Sequence, residues 1–193
     1  MTGALMLPHD WFPMPLPANV ELGDGTWLYS SYAFIHCRSR MPSAVRVGKS
    51  SGIYNGSFFE LGTRGQVSIG DYCTLVGATI STNSLIRIGS YCFIAHEVVI
   101  ADSVFPVPPD PSSIDNNAFQ LCVEIEDDVW IGAGAIILSG ARIGAGAIVG
   151  AGAVVNSVVP AGSIFGGNPG RVLGTVRADR SALATDAIHD GRR

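Results

Sequence analysis

The side chains best suited to move a proton at neutral pH are four histidines: His9, His36, His96 and His189. Imidazole titrates near neutrality, which is what a general base requires. The two histidines of the terminal segments, His9 and His189, are expected to be incidental, so His96 and His36 remain as candidates.

The elements that must position these side chains are indicated by a six-residue repeat, clearest over residues 125–160. An aliphatic residue opens each hexad, and a small or β-branched residue follows four places later. The openers are Ile125, Ile131, Ile137, Ile143, Val149 and Val155, and the fourth-offset residues are Val129, Ala135, Ala141, Ala147, Ala153 and Val159. Six residues suit one short strand and one tight turn, and a fixed period is typical of repeat architectures.

The geometry of one repeat follows from its residue types. Side chains alternate along a strand, so each opener shares a face with the small residue two places before it, and the pair can fill a narrow tube. Glycine fills the third offset at Gly134, Gly140, Gly146 and Gly152, where a corner needs a positive φ. Three strands and three corners would make a triangular coil of about 18 residues, stacked on the next at about 4.8 Å.

The repeat continues toward the N-terminus when loops are allowed. Six coils are predicted, starting near Leu22, Val47, Ile69, Ile88, Ile125 and Ile143. Phe34 is expected to open the third hexad of the first coil, and Ser81 is a weak third opener in the third coil. The fourth coil carries about 19 extra residues, which fall in segment 101–121. Its Pro, Ser, Asp and Asn content predicts a functional loop.

Composition agrees with one soluble domain of 193 residues, with 15% charged residues and 24 glycines. The net charge of −4 gives no reason to expect a nucleic-acid-binding face. No uninterrupted apolar run is long enough for a membrane span. The first 17 residues lack the basic start of a signal peptide, so we expect a cytoplasmic protein. We predict an N-terminal extension over 1–21, a β-helix over 22–173 and a tail over 174–193, either a short helix or disordered.

Two runs of sequence carry a family resemblance. The segments VWIGAGAIILSGARIGAGAIVGAGAVV and VPAGSIFGGNPGRVL resemble the hexapeptide-repeat acyltransferases, and most closely the maltose, galactoside and xenobiotic O-acetyltransferase group. The resemblance covers residues 69–173 well and the first two coils loosely. It implies an all-β fold, a left-handed parallel β-helix, and a homotrimer. It also implies transfer of an acetyl group from acetyl coenzyme A to a hydroxyl of a sugar or small natural product.

The position of the candidate catalytic base differs from the position usual in this family. Relatives carry the base histidine in the extruded loop, where this chain reads IADSVFP over residues 100–106, and no histidine occurs over residues 97–188. Other hexapeptide acyltransferases carry the base on a coil, which makes His96 the first candidate and His36 the second. Asp102 matches a family position and could orient a base, or it could simply cap a turn.

The donor side matches the family better. The resemblance implies that coenzyme A lies in a groove between subunits, where Ala133 and Ala151 are small enough for its pantetheine arm to approach the backbone. Trp130 would border this groove or pack between subunits. Arg171 matches a basic residue near the coenzyme A phosphates, which suits a guanidinium group, and Arg142 is a second candidate.

Three outward-pointing aliphatic residues give a separate reason to expect an oligomer. Ile136, Ile148 and Val154 occupy fifth offsets, and adjacent apolar side chains on a surface often mark an interface. The missing loop histidine also leaves open a different function, a catalytically silent β-helix that serves as a binding or scaffold subunit.

A metal centre is not expected. A zinc-dependent enzyme of the γ-carbonic anhydrase type on this fold would need three convergent histidines, whereas His36 and His96 are predicted about three coils, or roughly 14 Å, apart. The four cysteines form no CxxC pair. Cys73 and Cys92 are expected to stack inside the prism as buried thiols, because free cysteine behaves as a small hydrophobe.

Overall fold

The computed structural model of this chain describes residues 6–12, 14–102 and 122–176. The described backbone is nearly all-β and forms a left-handed parallel β-helix of about six turns, which confirms the predicted fold class. Most of the predicted loop, from residue 103 to 121, and the tail from residue 177 lie outside the described residues. No helix in the described ranges is both long and apolar enough to cross a membrane.

Three sheets form the faces of the prism. Face A contains β1 (Val20–Leu22), β3 (Val45–Val47), β6 (Gln66–Ile69), β9 (Leu85–Ile88), β12 (Val123–Ile125), β15 (Arg142–Ile143) and β18 (Val158–Val159). Face B contains β2 (Trp27–Leu28), β4 (Gly52–Ile53), β7 (Thr74–Leu75), β10 (Phe93–Ile94), β13 (Trp130–Ile131), β16 (Ile148–Val149), β19 (Ser163–Gly166) and β20 (Arg171–Thr175). Face C contains β5 (Phe58–Leu61), β8 (Thr79–Thr82), β11 (Val99–Ala101), β14 (Ile136–Leu138) and β17 (Val154–Val155).

Each of the second to sixth coils contributes one strand to each face, the first coil contributes strands to faces A and B only, and neighbouring coils pair in parallel. The six coils lie where the sequence predicts them, and β18 and β19 begin a seventh. The last strand, β20, turns back and pairs antiparallel with β19. This reversal ends the parallel stack on face B.

The core is a set of in-register ladders along the prism axis. The inward ladder of face C consists of Phe59, Ile80, Ile100, Ile137 and Val155, all with 0% of their surface exposed. The small fourth-offset residues are buried as predicted, with Ala135, Ala141, Ala147 and Ala153 also at 0%. Full burial of one large aliphatic side chain stabilises a fold by about 1.5–3 kcal/mol, so these ladders supply much of the driving force.

Two predicted openers are corrected by the structure. In β8 the inward position belongs to Ile80, and Ser81 faces outward, because the preceding corner is one residue shorter than in an ideal hexad. Phe34 is buried as expected, but it lies in a 3₁₀ turn, Ser31–Phe34, and not in a strand. The hydroxyl of Ser30 caps this turn by accepting from the Tyr32 N–H at 3.1 Å.

The corners behave as the glycine pattern predicts. Gly134 and Gly152 both have φ near +66°, a region that costs an ordinary L-residue about 1–2 kcal/mol. The interior thiols also follow the prediction, since Cys73 and Cys92 are free and each is 1% exposed.

Candidate functional site

One corner of the prism brings together three of the seven predicted site residues, His96, Ala133 and Ala151. We call it the B–C edge, and it is the line where successive coils turn from face B to face C at Asn55, Gly77, His96, Ala133 and Ala151. The residue after His96 donates its N–H to the Gly77 carbonyl oxygen at 3.0 Å, and the residue after Ala133 donates to the His96 carbonyl oxygen at 2.9 Å. The residue after Ala151 donates to Ala133 at 2.9 Å. His96, Ala133 and Ala151 therefore stack on consecutive coils.

The imidazole of His96 is exposed on this edge and lies next to Gly77 of the coil below. A Cβ on Gly77 would lie 3.6 Å from His96 Nδ1 and 3.6 Å from the carbonyl oxygen of Asn55. Gly77 has no such atom, and its φ of +62° disfavours any side chain there. Glu97 follows with φ of +58°. A small-molecule group can thus approach His96 from the coils below it.

Asp102 is at the far end of β11 from His96, where it holds a turn of the preceding coil. Its carboxylate is 2% exposed and accepts from the hydroxyl of Thr82 and from the backbone N–H groups of Asn83 at 3.1 Å and Ser84 at 3.0 Å. Burial raises the pKa of this carboxyl group, against the lowering effect of those hydrogen bonds. The structure therefore places Asp102 in the turn-capping position that the sequence left open, and away from His96.

His36 and His9 lie elsewhere in the described chain, and His189 lies outside the described residues. His36 is exposed beyond the 3₁₀ turn of the first coil, and its carbonyl oxygen accepts from the Leu61 N–H at 3.2 Å. His9 stacks on Trp27 with ring centroids 4.4 Å apart, and its Nε2 lies 2.8 Å from the Leu28 carbonyl oxygen. His36 shares no contact with the B–C edge near His96.

The predicted donor residues divide between two parts of the prism. Trp130 projects from face B, 52% exposed, and meets Phe93 edge to face at 6.4 Å. Arg171 begins β20 and is exposed near the upper end of the B–C edge, opposite Gly166. Arg142 is on face A, where its Nε lies 3.7 Å from a carboxylate oxygen of Glu124. Within one chain, Arg142 does not join the group formed by the B–C edge and Arg171.

Two cavities flank these residues. The larger, about 280 Å³, opens on face A and has Glu124, Glu126 and Arg142 in its wall. The smaller, about 150 Å³, lies at the lower end of the B–C edge between the first two coils, and we call it the foot cavity. Its aromatic wall residues are Trp11, Tyr29, Tyr32, Tyr54 and Phe58. No cavity was predicted here from the sequence, although the density of aromatic residues in WFP and WLYSSYAF was an available signal.

The segment before the first coil forms part of the foot cavity because one carboxylate fixes it. Asp10 accepts from the Ser30 hydroxyl at 2.7 Å, the Ser31 N–H at 2.7 Å and the Phe12 N–H at 2.9 Å. Burial opposes ionisation of Asp10, but these hydrogen bonds outweigh it and lower its pKa to about 2. The segment that carries Trp11 is thus attached to the first coil at neutral pH.

The described part of one chain contains no group of side chains that could bind a metal ion. Across residues 6–12, 14–102 and 122–176, no three His, Cys, Asp or Glu side chains come together in a way that could hold an ion. The described residues of a single subunit therefore do not fit a zinc centre.

Comparisons with known proteins agree with the repeat and the fold. The family of bacterial transferase hexapeptide (six repeats) matches residues 122–157. A curated relative, the mitochondrial gamma carbonic anhydrase 1 of Arabidopsis thaliana, is 30% identical over 145 residues, which are 73% of this chain and 48% of that protein. The chain thus spans about half the length of this relative.

Two solved structures share the architecture. A hexapeptide-repeat acetyltransferase of Vibrio cholerae O1 biovar eltor, in complex with acetyl coenzyme A, is 28% identical with a TM-score of 0.56, over 68% of this chain and 70% of that one. A mutant of AntD, an N-acyltransferase of Bacillus cereus, in complex with dTDP-4-amino-4,6-dideoxyglucose and coenzyme A, is 18% identical with a TM-score of 0.66, over 86% and 89% of the two chains. The second likeness shows the fold alone.

Proposed function

From a hexapeptide-repeat β-helix that resembles acyltransferases in its repeats and in its fold, we propose that this protein is a coenzyme A-dependent acyltransferase. In the reaction proposed, an acetyl group moves from acetyl coenzyme A to a hydroxyl of a sugar or small natural product, with His96 as the base. The observation that carries the proposal is the B–C edge, because it aligns an exposed histidine with small corner residues on the coils above. The acetyl coenzyme A complex of the Vibrio relative supports the same donor.

The chemistry requires one proton acceptor beside the acceptor hydroxyl. His96 would take the hydroxyl proton as the oxygen attacks the thioester carbonyl, and would return it to the departing thiolate of coenzyme A. A backbone N–H at a corner would stabilise the oxyanion of the tetrahedral intermediate. The exposed position of the imidazole beside Gly77 supports this role, since substrate can reach it.

The donor would lie along the upper coils. Ala133 and Ala151 are exposed and add little bulk at the edge, so a pantetheine arm can approach the backbone there. Arg171 lies about four strand spacings above His96, roughly 19 Å along the prism axis, and would bind a phosphate through charge-assisted hydrogen bonds. Trp130 would border the same groove from face B.

The test is a calorimetric titration of the full chain with acetyl coenzyme A. We expect saturable binding near one site per chain, weakened about tenfold in Arg171→Ala, because one charge-assisted contact is lost. Arg46→Ala is the matched control, since Arg46 is an exposed arginine paired with Glu21 on face A and should leave binding unchanged.

The outcome separates the two functions under consideration. No binding at millimolar acetyl coenzyme A would reject the acyltransferase and leave the scaffold function. If the donor binds, acceptor screening with wild type and His96→Ala follows. A loss of turnover of about a hundredfold or more in His96→Ala is the size expected for a missing general base, and unchanged turnover would reject His96.

A further inference from the structure

We propose that the foot cavity is the acceptor subsite and that it binds one neutral six-membered ring, with a substituent of that ring reaching His96. The inference rests on the proposed function for the transfer step alone. The cavity, its lining and its place on the same edge as His96 are properties of the described chain, so ring binding can be tested without coenzyme A.

The size of the foot cavity limits its ligand to about one ring. Its volume is about 150 Å³, and a cavity of about that size is known to hold one benzene molecule. A pyranose ring is of similar scale, whereas a nucleotide or a macrocycle would extend well outside it. The cavity therefore favours a small acceptor, or a single ring of a larger one.

The lining of the foot cavity favours a ring with an apolar face and no charge. Trp11 lies 5.5 Å from Tyr32, and Tyr32 meets Phe58 edge to face at 5.8 Å, measured between ring centroids. Aromatic walls of this kind attract flat apolar surfaces, and tyrosine adds a hydroxyl for hydrogen bonding. All residues that line the cavity are uncharged, and Asn55 and Ser57 add further polar groups.

Gly77 connects the foot cavity to His96. Asn55 lines the cavity, and its carbonyl oxygen and His96 Nδ1 are both 3.6 Å from the position that a Gly77 Cβ would occupy. Because Gly77 has no side chain, that position is space for about one atom in ordinary contact with both groups. A hydroxyl oxygen on a substituent of a ring in the cavity fits this space beside the proposed base.

The N-terminal segment completes the subsite on its outer side. Trp11 is 63% exposed, so it is the aromatic wall residue most open to solvent. Its position depends on Asp10, whose carboxylate accepts two hydrogen bonds from the first coil, at Ser30 and Ser31, and one from Phe12 within the segment. A ring that enters the cavity would cover part of the Trp11 surface, which gives both a source of affinity and a fluorescence signal.

The experiment is a titration of the full chain, without coenzyme A, with methyl β-D-glucopyranoside and separately with phenol. Tryptophan fluorescence and the His96 imidazole signal in NMR, assigned with His96→Ala, report on binding. The variants are Tyr54→Ala in the β-helix and Trp11→Ala in the N-terminal segment, where the substitution leaves the prism core untouched. Tyr91→Ala is the control, since Tyr91 is 59% exposed and stacks on Tyr72 away from the cavity.

We expect one probe to bind at millimolar concentration and to shift the His96 signal. Binding should weaken at least tenfold in Tyr54→Ala and Trp11→Ala and stay unchanged in Tyr91→Ala. The glucoside identifies a sugar acceptor, and phenol identifies an aromatic one. If neither probe binds, or if both cavity variants bind as tightly as wild type, the inference is overturned.

Failure here is distinguishable from failure of the proposed function. Acetyl coenzyme A binding without ring binding would overturn the acceptor subsite and leave the acyltransferase standing. Ring binding at the foot cavity without acetyl coenzyme A binding would overturn the acyltransferase proposal and leave the foot cavity as a ring-binding site.

Discussion

At the scale of single residues, His96 and Asp102 lie at opposite ends of one short strand, β11, and in different environments. His96 is exposed at the start of the turn that leads into β11, and Asp102 is 2% exposed just after β11 ends. The imidazole can meet a substrate, whereas the carboxylate is already committed to three donors of the turn formed by residues 82–84. Their separation by a strand follows from the coil geometry, which sends the two ends of one strand to different corners.

Replacing Asp102 by alanine should destabilise the fold. The substitution leaves two backbone N–H groups and the Thr82 hydroxyl without their acceptor, and we expect the free energy of unfolding to fall by about 2–4 kcal/mol. Urea unfolding of the two proteins measures this difference. An unchanged midpoint would show that the turn does not depend on Asp102.

The same comparison at two pH values tests the direction of the Asp102 pKa shift. Burial raises the folded pKa above the unfolded value near 3.8, so the stability contributed by protonation is fully present below that value. It is lost as the pH rises through the folded pKa. The penalty of Asp102→Ala should therefore be larger at pH 3 than at pH 7, and the opposite order would contradict the shift.

At the scale of the elements, the corners decide how closely coils can stack. Glycine serves two different purposes within one corner of the fifth coil. Gly134 has a φ of +66° and open space around the position of a Cβ, whereas a Cβ on Gly132 would lie 2.6 Å from the backbone nitrogen of Ala151. One glycine is needed for its backbone conformation and the other for the approach of the next coil.

Replacing either glycine by alanine should lower the free energy of unfolding, but for different reasons. Gly134→Ala should lower the free energy of unfolding by about 1–2 kcal/mol through its backbone conformation alone. Gly132→Ala should cost about 2–3 kcal/mol, because a steric contact with backbone forces neighbouring coils apart. Urea unfolding of both variants checks the order, and a smaller loss for Gly132→Ala would argue against the tight stacking.

At the scale of the whole molecule, the three faces differ in what they present outward. Face A carries ion pairs, including Arg46 with Glu21 at 3.1 Å and Arg87 with Glu124 at 3.5 Å. Face C presents an apolar ladder of Val99, Ile136 and Val154, close to the B–C edge. We propose that face A stays in solvent and that face C contacts a neighbouring subunit of a homotrimer.

One lysine substitution on face C and one on face A test this arrangement. Ile136 is 38% exposed on face C, and Ile136→Lys should convert a trimer to a monomer, because a charge buried without a partner is costly at an interface. Val158→Lys on face A, at a position 66% exposed, should leave the assembly unchanged. Light scattering after size exclusion measures both. A monomeric wild type, or the reverse order of effects, would reject the proposed faces.

Much of the fold follows from local pattern. The hexad openers and the small residues four places later predicted the buried ladders, and glycines such as Gly134 predicted the corners. Both predictions were possible because one repeat unit, a strand and a corner, is only six residues long. The prediction was wrong where this local rule breaks. Ser81 faces outward because one corner is short, and Phe34 lies in a 3₁₀ turn that Ser30 caps.

Periodicity along the chain is enough to predict the repeat, the number of coils and most of the buried residues. Which residues share a corner is visible only once the coils are stacked. The tertiary structure brought His96 together with Ala133 and Ala151, set Asp102 in a turn and left Arg142 on face A. It also formed the foot cavity from residues of the N-terminal segment and two coils. Such neighbours are separated by one or more coils in sequence, and only the stacking of those coils makes them adjacent.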